Sequence, residues 1–370
     1  RQLVDDFKAV VAKILTRTNT VTGVAYRDDK AILCWETGNE LLAPHSWTHE
    51  IAAHVKALDP NHLLMDGYYA IDSVPVREES LEDPLIDIVS SHHYERDPER
   101  LRGYIRTNVA MVRGRKPYVV GEFGFVGTAA VERLLDDVLA SGVSGALVWS
   151  LRFHRREGGF YWHSEPAGGG IFKAYHWPGF ASGADYDGRG LLARMRERAF
   201  AIQGRPAPPL EAPVPPRLLP IEDVSRISWQ GSVGASAYVV ERAEREGGPF
   251  AVVADDASDA EATYEALFHD AQAAVGGRYF YRVRARNVAG TSAPSNVVGP
   301  VAVRHSTFVD DMRSRAVPYG GSDSVKAVTG NDREVRERRF RREAPGGAEL
   351  VYALPGPVAR VRVQAFAKGT

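Results

Sequence analysis

The sequence predicts a parallel α/β domain followed by an all-β sandwich. Three observations carry this. Up to residue 203, apolar residues at helical spacing alternate with short apolar runs. A proline-rich stretch at 204–216 then interrupts the pattern. Beyond it the apolar period becomes two, with Gly, Ser and Asp between the runs.

In order along the chain, Leu3, Phe7, Val10, Val11, Ile14 and Leu15 repeat as a helix face, and Ala31–Trp35 is the first apolar run. Trp47, Ile51, Val55 and Leu58 mark a second helix, closed by Asp59-Pro60-Asn61. Leu63–Met65 and Ile86–Val89 are the next two runs. A helix through Leu101, Ile105, Val109 and Val112 precedes Tyr118–Gly121, and one through Leu134, Leu135, Val138 and Leu139 precedes Gly145–Trp149. Doubly apolar runs between helices predict parallel strands buried on both faces. Their spacing suits a (β/α) barrel as well as a doubly wound sheet. No Gly-x-Gly-x-x-Gly follows a strand, which weakens the dinucleotide-binding version of the latter.

A last helix near Leu191–Ile202 ends at Gly204, and Pro206, Pro208, Pro209, Pro213, Pro215, Pro216 and Pro220 follow. Such a stretch behaves as a stiff spacer. The domains expected are therefore 1–203, a linker at 204–216, a sandwich at 217–303 and a β-rich segment at 304–370. Within the sandwich, Ile227–Gln230, Ala237–Arg242 and Tyr279–Ala285 alternate in and out. The last segment carries Leu350–Tyr352 and Val358–Phe366 and is short for a sandwich of its own, so it reads as a cut module. The Arg-rich run Arg333–Arg342 reads as a solvated strand or hairpin face.

The chain has 370 residues, 44% of them hydrophobic and 25% charged, with a net charge of −1. That balance is globular and offers nothing to nucleic acid or an anionic membrane. Neither is expected as a partner. A single cysteine, Cys34, excludes an internal disulfide and a cysteine-built metal site. The chain opens in mid-pattern at Arg1-Gln2-Leu3, without a signal segment.

Two strand ends hold candidate chemistry: Trp35-Glu36-Thr37-Gly38-Asn39-Glu40 and Gly121-Glu122-Phe123-Gly124. In a parallel barrel both would open on one cleft, at the carboxyl ends of the strands. Two carboxyls converging on one bond are what glycoside cleavage requires, one as acid and one as nucleophile or base. Glu36 lies four residues before Glu40 and reads as a structural ion-pair partner. His92 and His93 are adjacent on a strand, so they point to opposite faces and do not readily share a metal. No metal ligand and no cofactor is assigned.

Taken as an ordered set, Asn39-Glu40, His92-His93-Tyr94, Gly121-Glu122-Phe123-Gly124 and Val148-Trp149-Ser150 resemble glycoside hydrolase family 5. The stretch Thr18–Glu40 looks most like its endo-β-1,4-mannanase branch. The resemblance implies a (β/α)8 barrel, of which the five strands here match the fourth to the eighth. The first three would lie upstream of Arg1, leaving a partial barrel. It further implies Glu40 as acid/base, Glu122 as nucleophile and Asn39 as the amide that holds the sugar 2-hydroxyl. His92 and Tyr94 would line the cleft, with Tyr94 bonded to the nucleophile, and Trp149 would lie under the sugar. Trp162 and Trp177 are further candidate sugar platforms, with core packing as the alternative. The implied partner is a β-mannan or β-glucan, met outside the cell. Alternatives are an endo-β-1,4-glucanase and a non-catalytic carbohydrate-binding or adhesion protein. Separately, Tyr281–Asn287 with Gly290, Ser292 and the tryptophan Trp229 resembles a fibronectin type III module over about 212–303.

Overall fold

The apolar runs become five parallel strands in a computed structural model that describes residues 1–124, 126–161, 175–179, 187–260, 265–310, 312, 319–329, 340–354 and 356–367. By packing, the chain divides into two compact units, Arg1–Trp149 and Ser150–Thr370.

The first unit runs α1 (Gln2–Thr16), β1 (Cys34–Glu36), α2 (His45–Leu58), β2 (Leu63–Asp66), α3 (Glu78–Glu82), β3 (Ile88–His93), α4 (Pro98–Val112), β4 (Tyr118–Phe123), α5 (Thr128–Ser141) and β5 (Gly145–Val148). Its sheet has the order β1-β2-β3-β4-β5, parallel throughout. That order decides between the two architectures left open above. Right-handed crossovers between successive neighbours put every helix on one face and curve the sheet toward a barrel. A doubly wound sheet would reverse its order at a switch point. The sheet is a parallel half-barrel.

Local sequence explains the elements. Asp97 caps α4 by accepting from Glu99 N at 2.9 Å and Arg100 N at 3.2 Å, with Pro98 at the first helical position. Gly142 ends α5 in the left-handed conformation that only glycine adopts freely (φ 81). The core lies between sheet and helices, with Leu64, Val89, Val120 and Phe123 buried in the strands and Ile51, Ile105, Val131 and Leu134 in the helices. The expectation that all five strands are buried on both faces needs correction. β3 is buried at all six positions, whereas β1 and β5 are partly open, and Leu33, Leu63 and Leu147 are exposed. β1 and β5 are the edges of this sheet, so less protein covers them, while Leu63 is the first residue of the inner strand β2 and is open at the strand's start.

In the second unit a parallel pair, β6 (Leu151–Arg152) with β7 (Tyr175–His176), precedes α6 (Gly188–Ala201). The proline-rich stretch 204–216 carries no helix or strand. The pair β8 (Arg217–Leu218) and β9 (Trp229–Gln230) follows, then an antiparallel sheet of β10 (Ala237–Ala243), β11 (Ala251–Ala257), β12 (Arg278–Asn287), β13 (Gly290–Thr291) and β14 (Val298–Ala302). Trp229, Tyr238, Tyr281 and Val283 form its core, all fully buried. Tyr281 donates to Asp270 Oδ2 at 2.9 Å, where Arg242 also lands at 2.8 Å. Two hairpin-like pairs end the chain, β15 (Tyr319–Gly321) with β18 (Leu350–Tyr352) and β16 (Lys326–Thr329) with β17 (Phe340–Glu343). The Arg-rich run falls mostly outside the described residues. No described helix is long and apolar enough to cross a membrane.

Candidate active site

Glu40 follows the loop that leaves β1. Thr37 N donates to Met65 O at 3.1 Å, Gly67 N donates to Thr37 Oγ1 at 2.9 Å, and Leu41 N donates to Gly67 O at 2.8 Å. The loop is thus stitched to the carboxyl end of β2. Gly67 permits this because a Cβ there would lie 1.9 Å from the Gly38 carbonyl oxygen. Glu40 itself has φ 54, in the left-handed region. A non-glycine residue there costs roughly 1–3 kcal/mol, a strain that clusters at working sites.

Glu122 is aimed by a bulge. In the β3–β4 register Ser91 faces Val120 and His92 faces Glu122, so Gly121 is an extra residue on β4. A Cβ on Gly121 would meet His92 Nε2 at 3.1 Å, which keeps that position free for the imidazole.

His92 joins the two carboxylates. Its Nδ1 lies 2.8 Å from Glu40 Oε1 and 3.6 Å from Glu122 Oε2. One ligand atom from each of the three residues lies within 4.8 Å of the others. Such a trio has the donor set of a cation site. However, one ring nitrogen spaced this way between two acceptors has the geometry of an N–H donor, and the set reads as a hydrogen-bonded acid–base cluster. The Glu122 side chain is 13% exposed and that of Glu40 30%. The Tyr94 phenol donates to Glu122 Oε2. Tyr94 N and Glu95 N both donate to Asp72 Oδ1, at 2.8 and 2.9 Å, which fixes the turn after β3.

Trp149 N donates to Phe123 O at 2.9 Å. A Cβ on Gly124 would lie 3.3 Å from Trp149 O and 3.7 Å from the Tyr94 ring, so this glycine lets the two approach. Asn39 is exposed beside Glu40. Glu40, His92, Tyr94 and Glu122 are therefore in one cluster, and the Trp149 backbone carbonyl and the Tyr94 ring both flank Gly124. Trp177 sits in the second unit, half-buried, its indole nitrogen 3.7 Å from where Gly234 would carry a Cβ. Trp162 lies outside the described residues.

The two histidines divide as the strand alternation requires. His93 is fully buried on the opposite side from His92, with Nε2 2.7 Å from Ser91 Oγ, which is 2.5 Å from Tyr118 OH. Asn108 Nδ2 donates to both hydroxyls. Burial, with His92 nearby adding to it, pushes the His93 imidazole down to about 4.

Glu36 is a correction to the sequence reading. Among the described residues it makes no ion pair, and it accepts from Ser90 Oγ at 3.5 Å. Desolvation by the protein around it pushes its carboxyl up to about 7, against His92, which pulls it down, while the charges of Glu122 and Asp66 push it further up. One flank is open to solvent, so water tempers that rise. Periodicity could not have found this, because the effect comes from β3 and β4.

The sign for stability follows from linkage. From the ordinary value of 4.5 up to about 7 the folded protein holds a proton that the unfolded chain has lost. Folding therefore weakens as pH rises across that window. Glu36→Gln is expected to raise the melting temperature at pH 8 and to leave it nearly unchanged at pH 5. Thermal unfolding at the two pH values checks this, and an equal shift at both would show that Glu36 does not titrate in this way.

Residues 2–131 match the family model described as GH family 5 beta-mannosidase-like. Mannan endo-1,4-beta-mannosidase 1 of Oryza sativa subsp. japonica is 33% identical over 156 residues, 32% of this chain and 36% of the relative. Mannan endo-1,4-beta-mannosidase 1 of Solanum lycopersicum is 29% identical over 194 residues, 40% of this chain and 49% of the relative. The chain thus spans between a third and a half of the length of these relatives. The crystal structure of a glycoside hydrolase family 5 mannosidase from Rhizomucor miehei aligns with a TM-score of 0.43 at 18% identity, covering 55% of this chain and 59% of that one. Residues 2–131 are thus similar to glycoside hydrolase family 5 mannosidase-like domains, and the homologues of the chain are mannan endo-1,4-β-mannosidases.

Proposed function

We propose that this site hydrolyses internal β-1,4 linkages of a β-mannan by a retaining double displacement. The observation that carries the reading is the pairing of Glu40 with Glu122 across His92, their nearest carboxylate oxygens within 4.8 Å. Retaining enzymes hold their carboxyls about 5–5.5 Å apart, whereas inverting enzymes need about 6.5–9.5 Å to admit a water between acid and base. Glu122 attacks the anomeric carbon, and Glu40 protonates the departing oxygen. Glu40 then takes a proton from the water that releases the sugar from Glu122. The Tyr94 hydroxyl orients Glu122 for attack, Asn39 holds the sugar 2-hydroxyl and Trp149 supports the ring. The scheme uses no cofactor. A polymeric substrate of this kind is met outside the cell, and we place the protein there.

The domain boundaries are part of the same proposal: a barrel-type catalytic segment over 1–203, the linker at 204–216, a module at 217–303 and a β-rich segment at 304–370. The module is proposed to be fibronectin type III-like. Its support is the antiparallel sheet of β10–β14 with Trp229 and Tyr281 both fully buried.

Reducing-sugar release from β-mannan and from carboxymethyl-cellulose tests the substrate. Release from mannan supports the reading, and release from carboxymethyl-cellulose alone overturns it in favour of a glucanase. Tyr94→Phe removes a donor aimed at Glu122 and is expected to lower kcat on mannan by roughly 10²-fold. Steady-state kinetics checks this, and a change confined to KM would mean that Tyr94 only binds sugar.

A further inference from the structure

The loop between β2 and α3 carries none of the residues assigned to the site, yet it runs alongside the end of β3. Ile71 bridges His92 in parallel register. His92 N donates to Ala70 O at 2.8 Å, and Asp72 N donates to His92 O at 3.1 Å. Ala70 is fully buried, so this short ladder is anchored in the core.

At Asp72 the chain turns. Its φ of 50 lies in the left-handed region, which among non-glycine residues asparagine and aspartate enter most readily. Its Oδ1 accepts from Tyr94 N at 2.8 Å and from Glu95 N at 2.9 Å. Asp72 is thus tied to β3 by its own amide and grips the first two residues beyond β3 with its side chain. His93 Nδ1, 3.9 Å from the same oxygen, is beyond hydrogen-bond reach, so the two backbone amides are what Oδ1 holds among the described residues.

Tyr94 lies just past the last residue of β3, and its phenol reaches Glu122 Oε2 on the neighbouring strand. A tilt at the Tyr94 backbone is magnified along the side chain before it reaches the hydroxyl. About 1 Å of misplacement at a working group costs on the order of 10²-fold in rate. Amide bonds to a carboxylate are charge-assisted and roughly twice as strong as neutral ones, so the pair on Asp72 opposes that tilt. Asp72 thereby acts on Glu122 through Tyr94.

We propose that Asp72 is a positioning residue for the nucleophile: by holding the Tyr94 amide it keeps the phenol on Glu122 Oε2. The nucleophile role of Glu122 rests on the function proposed above; the hold on Tyr94 rests on the loop geometry alone.

The test compares two substitutions in the full chain. Asp72→Gly keeps the left-handed backbone, which glycine adopts freely, and removes the acceptor. It is expected to lower kcat on mannan about tenfold with KM little changed. In a Tyr94→Phe background it should add no further loss, because both changes break one link. Asp72→Asn keeps a neutral acceptor and tolerates the same φ, so it should show a smaller loss that also vanishes with Tyr94→Phe. It stands in should the glycine chain not fold. Losses that add in the double variants overturn the proposal, since Asp72 would then act apart from Tyr94. So does a loss confined to KM or to thermal stability. Crystal structures of the parent and the variant give a reading that needs no turnover: the Tyr94 hydroxyl should leave Glu122 when Asp72 is replaced, and a retained bond overturns the proposal. The two proposals fail separately. A parent that hydrolyses mannan and whose variants keep its kcat retains the function and loses the positioning role. A parent without turnover whose variant releases Tyr94 from Glu122 loses the function and retains the hold of Asp72 on Tyr94.

Discussion

Glu122→Gln is expected to lower mannan hydrolysis by about 10³-fold or more while leaving oligosaccharide binding largely in place. The amide nearly matches the carboxylate in shape and still accepts from Tyr94, so the cleft keeps its form. In the proposed mechanism, what is lost is the negative oxygen that would form the glycosyl bond, an interaction that matters in the transition state far more than in the ground state. Turnover and binding should therefore separate, as read by single-turnover kinetics beside calorimetric titration. A parallel loss of both would mean that Glu122 binds sugar without attacking it. Glu40→Gln gives the complementary control. It should impair mannan as severely, yet spare an aryl mannoside whose leaving group departs without a proton. If both substrates suffer equally, Glu40 is not the acid.

Gly67→Ala is expected to cost roughly 10²-fold in kcat/KM although Gly67 carries no chemistry. The new methyl would sit 1.9 Å from the Gly38 carbonyl oxygen, and that atom belongs to backbone, which cannot rotate away. The loop must shift instead, and the links from Thr37 and Leu41 to Gly67 carry the shift directly to Glu40. Glu40 already has a left-handed backbone, so little tolerance remains. Crowding of this kind also destabilises by about 1–3 kcal/mol. Chemical denaturation with kinetics at a temperature where the variant is folded separates the two effects. Normal kinetics in a folded variant would show that the β2 end does not set Glu40.

Much of this arrangement was legible in the sequence because it follows from short periods. The five runs were placed to within a few residues; Ile86–Val89, for example, predicted a strand that begins at Ile88 and continues to His93. The strand alternation that separates His92 from His93 also needs no neighbours to be read. The burial of the strands was misjudged because an apolar run looks the same at an edge as in the middle of a sheet. Glu36 was misjudged for a related reason, since its protonation depends on Ser90, His92 and Glu122, more than fifty positions away in sequence. The Gly121 bulge and the Gly67 contact are equally silent in a linear reading. Gly121 is one glycine in a strand that could be weak or bulged, and the register with β3 decides which it is. Gly67 is needed only because Gly38 crosses in front of it.

In the second unit His154 Nε2 lies 3.1 Å from Asp259 Oδ2, a contact between residues 105 positions apart, whereas each strand of the first unit pairs with the next one along the chain. On a ribosome adding about 5–20 residues per second, the two partners emerge roughly 5–20 s apart. Neighbouring strands need only a short closure and can pair as they appear. His154 must wait, without this partner until Asp259 arrives. Slow translation before residue 259 would prolong that wait, so codon choice in that interval should influence how much of the protein is recovered in soluble form.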